Sequence, residues 1–210
     1  MNHALVLKKQ SQKKRFITTL SALTLIVSAL SISNPVYSEP TVNTHFDFYD
    51  IYPSSKYDLG KEMTSRSPIK SNGKTFYGRT DWRVEWKFRW KKKNDLCRIT
   101  SVSTFLDVKY TMPRIAKRSK VSQSIRSSFD RYYKALLNHE EGHMKSGLYA
   151  AREIQKELFN LGMYKSCERL EKVANNQGSE IIKKYNKRDI DYDRTTNHGK
   201  TEGAYIGNFI

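Results

Sequence analysis

Two histidines separated by one helical turn are the first sign of chemistry in this sequence. His139 and His143 are four residues apart, so on a helix their imidazoles lie on one face, one above the other. Two imidazoles placed in this way can bind one tetrahedral ion, and imidazole nitrogen is a common zinc ligand. The spacing therefore predicts that His139 and His143 hold zinc.

Glu140 follows the first histidine directly and completes a His-Glu-x-x-His pattern. On a helix, this pattern is typical of zincin peptidases. Zinc lowers the pKa of its water, and the glutamate takes the proton as that water attacks a carbonyl. The glutamate then returns the proton to the leaving amine, so we predict Glu140 as the general base. Gly142 lies inside the pattern, where glycine destabilises a helix unless another group needs to come close.

A third zinc ligand must come from elsewhere, because catalytic zinc usually has three protein ligands and one open position. His198 lies in a polar loop beside a glycine and is the first candidate. The alternative is a glutamate on the following helix, either Glu168 or Glu171, which stand 25 and 28 residues after His143.

The C-terminal region also contains acidic and tyrosine side chains that suit supporting roles. Asp191, Asp193 and Glu202 are most natural as carboxylates that orient the imidazoles, although they are also candidate ligands. Tyr192 is a candidate for stabilising an oxyanion, with packing in the core or an interface as the alternative.

The elements that position these groups follow from the spacing of apolar residues. Residues 81–90 alternate apolar with charged side chains, which predicts a strand that buries three tryptophans on one face. Residues 97–112 form a second β segment, and a change of parity near Ser101 predicts a bulge.

Beyond Pro113 the apolar period changes from 2 to 3.6. Residues 121–161 predict one long helix that contains the His-Glu-x-x-His pattern and ends at Gly162. A second helix covers residues 170–185, whereas residues 189–210 have no periodicity. Strands followed by helices predict an α+β fold. In it, a small antiparallel sheet in the N-terminal half packs on the long helix and the second, C-terminal helix.

Residues 1–38 have the features of a secretory signal peptide. Five cations precede an apolar run at 16–32, and Val36-Tyr37-Ser38 offers a cleavage site. An uncleaved anchor is the alternative, but 17 residues with six hydroxyl side chains are few compared with the ~20 apolar residues of a spanning helix. We therefore expect a single domain at 39–210 that is periplasmic or secreted.

The cysteine count supports the same compartment. Cys97 and Cys167 are the two cysteines of the chain, and in an oxidising compartment they are expected to form a disulfide. The alternative is zinc ligation, but neither belongs to a Cys-x-x-Cys pair. Closing a loop of 70 residues would stabilise the fold by roughly 4 kcal/mol in the chain-entropy model.

The excess of cations indicates what kind of partner the protein attracts. Losing the signal segment, which has five cations and no anion, changes the formal net charge from +17 to +12. Such a charge favours anionic partners. The cations concentrate in residues 87–93 and 114–126, without a nucleic-acid motif. We expect a solvated face or an anionic envelope surface, and no nucleic-acid partner; the sequence does not predict the oligomeric state.

The order of short motifs along the chain resembles a family of predicted secreted zinc-dependent proteases, catalogued as a bacterial domain of unknown function. The resemblance spans nearly all of the chain after the signal segment and implies a zincin-like fold. It marks His198-Gly199 as a family motif and implies no particular substrate. The motifs are Tyr52-Pro53, Thr80-Asp81-Trp82, Cys97, Tyr110-Thr111-Met112-Pro113-Arg114, the segment from His139 to His143, Cys167, Tyr192-Asp193, Thr196-Asn197-His198-Gly199 and Gly203-Ala204.

Together these features predict an exported zinc-dependent peptidase with a peptide or protein substrate. An extended substrate would pair with an edge strand of the sheet. Two alternatives stay open: a non-catalytic basic protein that binds the envelope with a structural zinc or none, and an amide hydrolase that acts on peptidoglycan.

Overall fold

Strands come first and long helices second in the computed structural model, which describes residues 38–117 and 120–210. The α+β class is therefore confirmed. The predicted signal peptide falls almost entirely on residues 1–37, outside the described residues. The strands are β1 (Thr41–Ile51), β2 (Lys70–Ser71), β3 (Lys74–Thr75), β4 (Arg79–Lys93) and β5 (Leu96–Ile115); the helices are α1 (Leu59–Arg66), α2 (Gln123–Phe159) and α3 (Cys167–Thr196).

The main sheet has three strands in the order β1-β5-β4. Strands β4 and β5 form the predicted antiparallel hairpin, whereas β1 joins β5 in parallel. After β1, helix α1 and the small β2–β3 hairpin connect one edge of the sheet to the other, where β4 begins. The hairpin return then makes β5 parallel to β1, so the sheet is mixed. The register between β4 and β5 shifts after Arg89, opposite Thr100, so the bulge predicted near Ser101 is confirmed.

The predicted burial of three tryptophans on β4 is confirmed only in part: Trp82 and Trp86 pack against the core, whereas Trp90 is exposed. Trp82 and Trp86 are partly exposed, and Trp90 is 38% exposed. They face α3, and each indole N–H donates to a polar side chain there: Trp82 to Asp189, Trp86 to Asn175 and Trp90 to Glu171. The alternation identified the correct face of the strand, but that face meets a polar side of a helix.

Helix α2 packs on the sheet and forms the centre of the fold. Ser122 caps it by accepting a hydrogen bond from the Ile125 backbone N–H. The helix ends at Phe159, with Asn160 as its C-cap, slightly before the predicted stop at Gly162. Its inward residues, such as Leu136, Ile154 and Leu158, are buried against the sheet.

Helix α3 continues well beyond residue 185, where the predicted helix ended. It runs to Thr196 and stops at Asn197, which has a left-handed backbone. The prediction of an aperiodic tail from residue 189 is thus wrong for its first eight residues. The last two turns are polar because they face a cluster of histidines and acids, so apolar periodicity could not reveal them.

Cys97 and Cys167 form the predicted disulfide. It joins the start of β5 to the first residue of α3, and the Cys97 backbone also pairs with Tyr164 in the loop after α2. Among the described residues, no helix combines the length and apolar character needed to cross a membrane.

Candidate metal centre

A cluster of two histidines and one aspartate lies where α2 and α3 meet. Nitrogen atoms of His139 and His143 and an oxygen atom of Asp193 all lie within 4.8 Å of one another. Both Nε2 atoms are 3.2 Å from the same Oδ1 of Asp193. The histidines are only 3% and 8% exposed. One helix thus supplies two imidazoles a turn apart, and the other supplies the carboxylate facing them.

The outer ring nitrogens of both histidines also face carboxylates. His139 Nδ1 lies 2.8 Å from Glu202 Oε2, and His143 Nδ1 lies 3.3 Å from Asp189 Oδ1. With a cation bound at the centre, a carboxylate at Nδ1 would keep the proton on that nitrogen and leave the Nε2 electron pair for the cation. Both imidazoles therefore present a ligand atom to Asp193.

Each of these outer carboxylates is held in turn by an aromatic side chain. Tyr192 donates its hydroxyl to Glu202 at 2.8 Å, and Trp82 of β4 donates its indole N–H to Asp189 at 2.6 Å. The Tyr192 ring also stacks on His139, with ring centroids 5.0 Å apart. Each histidine is thus held by a carboxylate, and that carboxylate is held by an aromatic side chain. For His143 the aromatic side chain is Trp82, which belongs to the sheet.

Two glycines make this close packing possible. A Cβ atom on Gly142 would collide with the Tyr192 hydroxyl, which explains the glycine in the middle of α2. A Cβ on Gly199 would come within 2.8 Å of the His139 ring. Gly199 also has a φ of 79°, a left-handed conformation that side chains rarely adopt.

Glu140 points from α2 towards β4 and is only 4% exposed. The Thr80 hydroxyl lies 2.7 Å from its Oε2 and 3.0 Å from its backbone oxygen. Burial raises the pKa of the Glu140 carboxyl, although the Thr80 hydrogen bond acts in the opposite direction. The carboxyl group is therefore fixed, shielded from water and adjacent to both histidines.

Acidic groups are in excess around the two imidazoles. Burial alone would lower the pKa of His143, but the adjacent carboxylates of Asp189 and Asp193 outweigh it and raise this pKa to about 10. In His139, Asp193 and Glu202 likewise outweigh burial and raise the pKa. Within residues 38–117 and 120–210, none of the carboxylates of Glu140, Asp189, Asp193 and Glu202 pairs with a lysine or arginine. Such a cluster attracts a cation.

The donor set fits a divalent transition-metal ion. Two imidazoles and a carboxylate are a known ligand set of catalytic zinc, and the carboxylates behind the imidazoles are the usual outer partners of such ligands. His139, His143 and Asp193 are therefore the residues that can hold a metal ion.

In the structure, Asp193 completes the three-residue group that could hold a metal ion, whereas the sequence pointed to His198. His198 is not part of the three-residue group. Its Nδ1 lies 3.4 Å from Asp193 Oδ1, its side chain is 44% exposed, and its ring packs against Phe76. The backbone is left-handed at residues 197 and 198, and the His198 imidazole lies at the solvent-exposed edge of the cluster.

Glu168 and Glu171, the other candidates for the third ligand, lie at the wrong end of α3. At 1.5 Å per residue, Glu171 is about 33 Å from Asp193 along the helix. Its carboxylate accepts the Trp90 indole N–H instead. Their spacing after His143 suited a glutamate ligand on the following helix, but α3 begins far from the two histidines.

The roles of the remaining acids and of Tyr192 are also clear from contacts. Asp191 is partly exposed and pairs with Arg194. Tyr192 has its hydroxyl bonded to Glu202, so it is placed to position His139 rather than to meet an oxyanion. Asp189 was missed altogether. The available signal was its four-residue spacing from Asp193, which repeats the spacing of the two histidines and places both carboxylates on one helical face.

A family model described as a bacterial protein of unknown function, DUF922, matches residues 46–199. The chain belongs to this family. The matched segment contains the histidine pair, Glu140, Asp189 and Asp193, whereas Glu202 lies three residues beyond it. No curated protein and no solved structure matches the chain.

The outer contacts of this DUF922 chain lead to a first prediction, Trp82→Phe. Without the indole N–H, Asp189 loses the donor that orients it towards His143, so zinc affinity is expected to fall by about 10–100-fold. The control is Trp86→Phe, which removes a similar bond to Asn175 on the same helix, away from the histidines. Competition with a zinc-binding dye measures both. Equal affinities in the two variants would contradict a role for Trp82 at the site.

Proposed function

We propose that this DUF922 protein is an exported zinc-dependent peptidase. The observation that carries the proposal is the position of Glu140, a buried carboxylate between Thr80 and a metal-binding group of His139, His143 and Asp193. A buried acid beside a metal site is what the hydrolysis of an amide by water requires.

In the proposed reaction, Glu140 is the residue that moves protons. It takes a proton from the attacking water and later delivers it to the leaving amine. Thr80 keeps the carboxylate in one orientation, and burial keeps bulk water away from it. A zinc ion at the site would supply Lewis-acid polarisation of the peptide carbonyl and a lower pKa for water.

The geometry also favours one edge of the sheet for the substrate. Both β1 and β4 are edge strands, but β4 carries Thr80 and Trp82, the two sheet residues that contact the site. We therefore place an extended peptide along β4, where it would add a strand by backbone hydrogen bonds.

Two histidines and a carboxylate are also the ligand set of non-haem iron(II) oxygenases. Glu140 favours hydrolysis over oxidation, because hydrolysis needs a fixed group that accepts the proton of the attacking water. Three ligands among the described residues also support a catalytic site over a structural zinc, which usually has four protein ligands. The disulfide supports export, since disulfides persist in oxidising compartments.

Metal analysis combined with a protease assay tests the proposal. Mature protein is expected to contain about one zinc per chain and to cleave an unfolded protein such as casein. A chelator should remove both the metal and the activity, and added zinc should restore them. The control is a His139→Ala and His143→Ala double variant, which should have neither.

The same samples separate the alternatives. Release of soluble fragments from purified peptidoglycan without casein cleavage would replace the peptidase by an amide hydrolase. Zinc that is retained against chelators, with no activity on either substrate, would support a structural metal.

A further inference from the structure

The far end of the β4–β5 hairpin carries an unusual density of positive charge. Residues 87–98, here called the basic tip, contain six lysines and arginines and one acid, Asp95. All six cations are exposed, and Asp95 pairs with Lys92. Among the described residues, none of the other five forms an ion pair with an acid. They are Lys87, Arg89, Lys91, Lys93 and Arg98.

These five cations lie on one face of the hairpin. The odd-numbered residues of β4 point away from the helices, and the register places Arg98 directly opposite Lys91. Like charges in directly opposed positions of an antiparallel pair repel each other. Nearer the metal centre, cations of the same face are neutralised, as Arg83 is by Glu85 and Arg79 by Asp81. Charge on this face is therefore balanced at one end and left uncompensated at the other.

Apolar groups are exposed at the same end. Trp90 is 38% exposed, and Met163 in the loop after α2 is 65% exposed. This loop is fixed to the tip, because the Tyr164 backbone pairs with Cys97 and Cys97 is bonded to Cys167. The two apolar side chains and the cations thus lie together at one rigid end of the fold, on different faces of the hairpin.

We propose that the basic tip binds the surface of membranes containing anionic phospholipid. Lysines and arginines are attracted to anionic headgroups, and tryptophan is favoured at the headgroup level. The combination of cations with an exposed methionine and tryptophan fits a lipid surface better than a nucleic acid. Aromatic rings that bind single strands form a stacking platform within the basic groove, whereas Trp90 lies on the opposite face from the five cations.

Vesicle sedimentation with the full mature chain tests the proposal. Binding to phosphatidylcholine vesicles with 30% phosphatidylglycerol is expected to be at least about tenfold stronger than to pure phosphatidylcholine, and to weaken as salt screens the charges. The triple variant Lys91→Gln, Lys93→Gln and Arg98→Gln should lose at least about tenfold in affinity for the anionic vesicles.

The control removes the same charge from exposed, unpaired lysines elsewhere: Lys61→Gln, Lys134→Gln and Lys187→Gln. It should bind within about twofold of the unaltered chain. An equal loss in the control would show that net charge, not the tip, determines binding, and would overturn the proposal. Absence of vesicle binding would overturn it too, as would binding to a single-stranded DNA oligonucleotide in preference to vesicles. Circular dichroism of both triple variants confirms that they are folded. Vesicle binding is measured without any peptide substrate, so its outcome does not depend on the proposed peptidase activity.

Discussion

Asp193→Ala is expected to abolish stoichiometric zinc binding. Asp193 is the one group in the cluster that faces both Nε2 atoms, at 3.2 Å from each. Its removal takes away one of three ligands and the negative charge between the two imidazoles. Affinity should fall by more than the ~10–100-fold that loss of an outer partner costs. Zinc-to-protein ratios after dialysis, followed by dye competition, give the measurement.

Asp191→Ala is the matched control, since this carboxylate is two residues away and pairs with Arg194 on the outside of α3. It should keep its zinc. His198→Ala is the decisive comparison, because the sequence pointed to His198 and the structure places Asp193 at the ligand position. If His198→Ala loses zinc while Asp193→Ala retains it, the structural assignment is wrong.

Glu140→Gln is expected to keep zinc and to lose catalysis. The amide has nearly the same shape, and the Thr80 hydroxyl can still donate to its oxygen. It cannot accept the proton of water, however, and removing a general base typically costs 10²–10⁴-fold in rate. Because burial disfavours the charged carboxylate, a neutral amide should leave stability unchanged or slightly raised.

The adjacent Glu141 provides the control for this experiment. It lies on the same helix, next in sequence, and forms no contact with the histidines. Glu141→Gln should therefore retain kcat within a few fold. Similar kcat values in the two variants and in the unaltered chain would remove Glu140 from the proposed mechanism, even if zinc proved essential.

Much of the fold was predictable because it depends on local periodicity. The alternation in residues 81–90 identified β4, and the stripe in residues 121–161 identified α2. The cysteine pair followed from counting, and Gly142 indicated a close approach that Tyr192 now explains. Each of these predictions depends on residue types and their spacing within a short segment, or on a simple count of one residue type.

The place of Asp193 in the candidate metal group was not predictable in the same way, because it depends on where α3 ends. Its last two turns present Asp189, Tyr192 and Asp193 to the histidines instead of apolar side chains to a core. The hydrophobic pattern therefore disappears in the part of α3 that faces the candidate metal centre. His198 attracted attention as the histidine next to a glycine, but that glycine serves the approach to His139.

The histidines and the acids of the candidate metal centre are far apart in sequence, and this separation determines when the centre can assemble. Asp193 follows His143 by 50 residues, and Glu202 follows His139 by 63. During synthesis, α2 and its histidines emerge long before the acids that complete the pocket. The order is the same if the chain crosses a membrane unfolded. A metal captured by α2 alone would have only two protein ligands and would be easily lost. Stable loading of a metal at this centre would therefore require Asp193 to have emerged and α3 to have closed onto α2, with Glu202 following to hold His139.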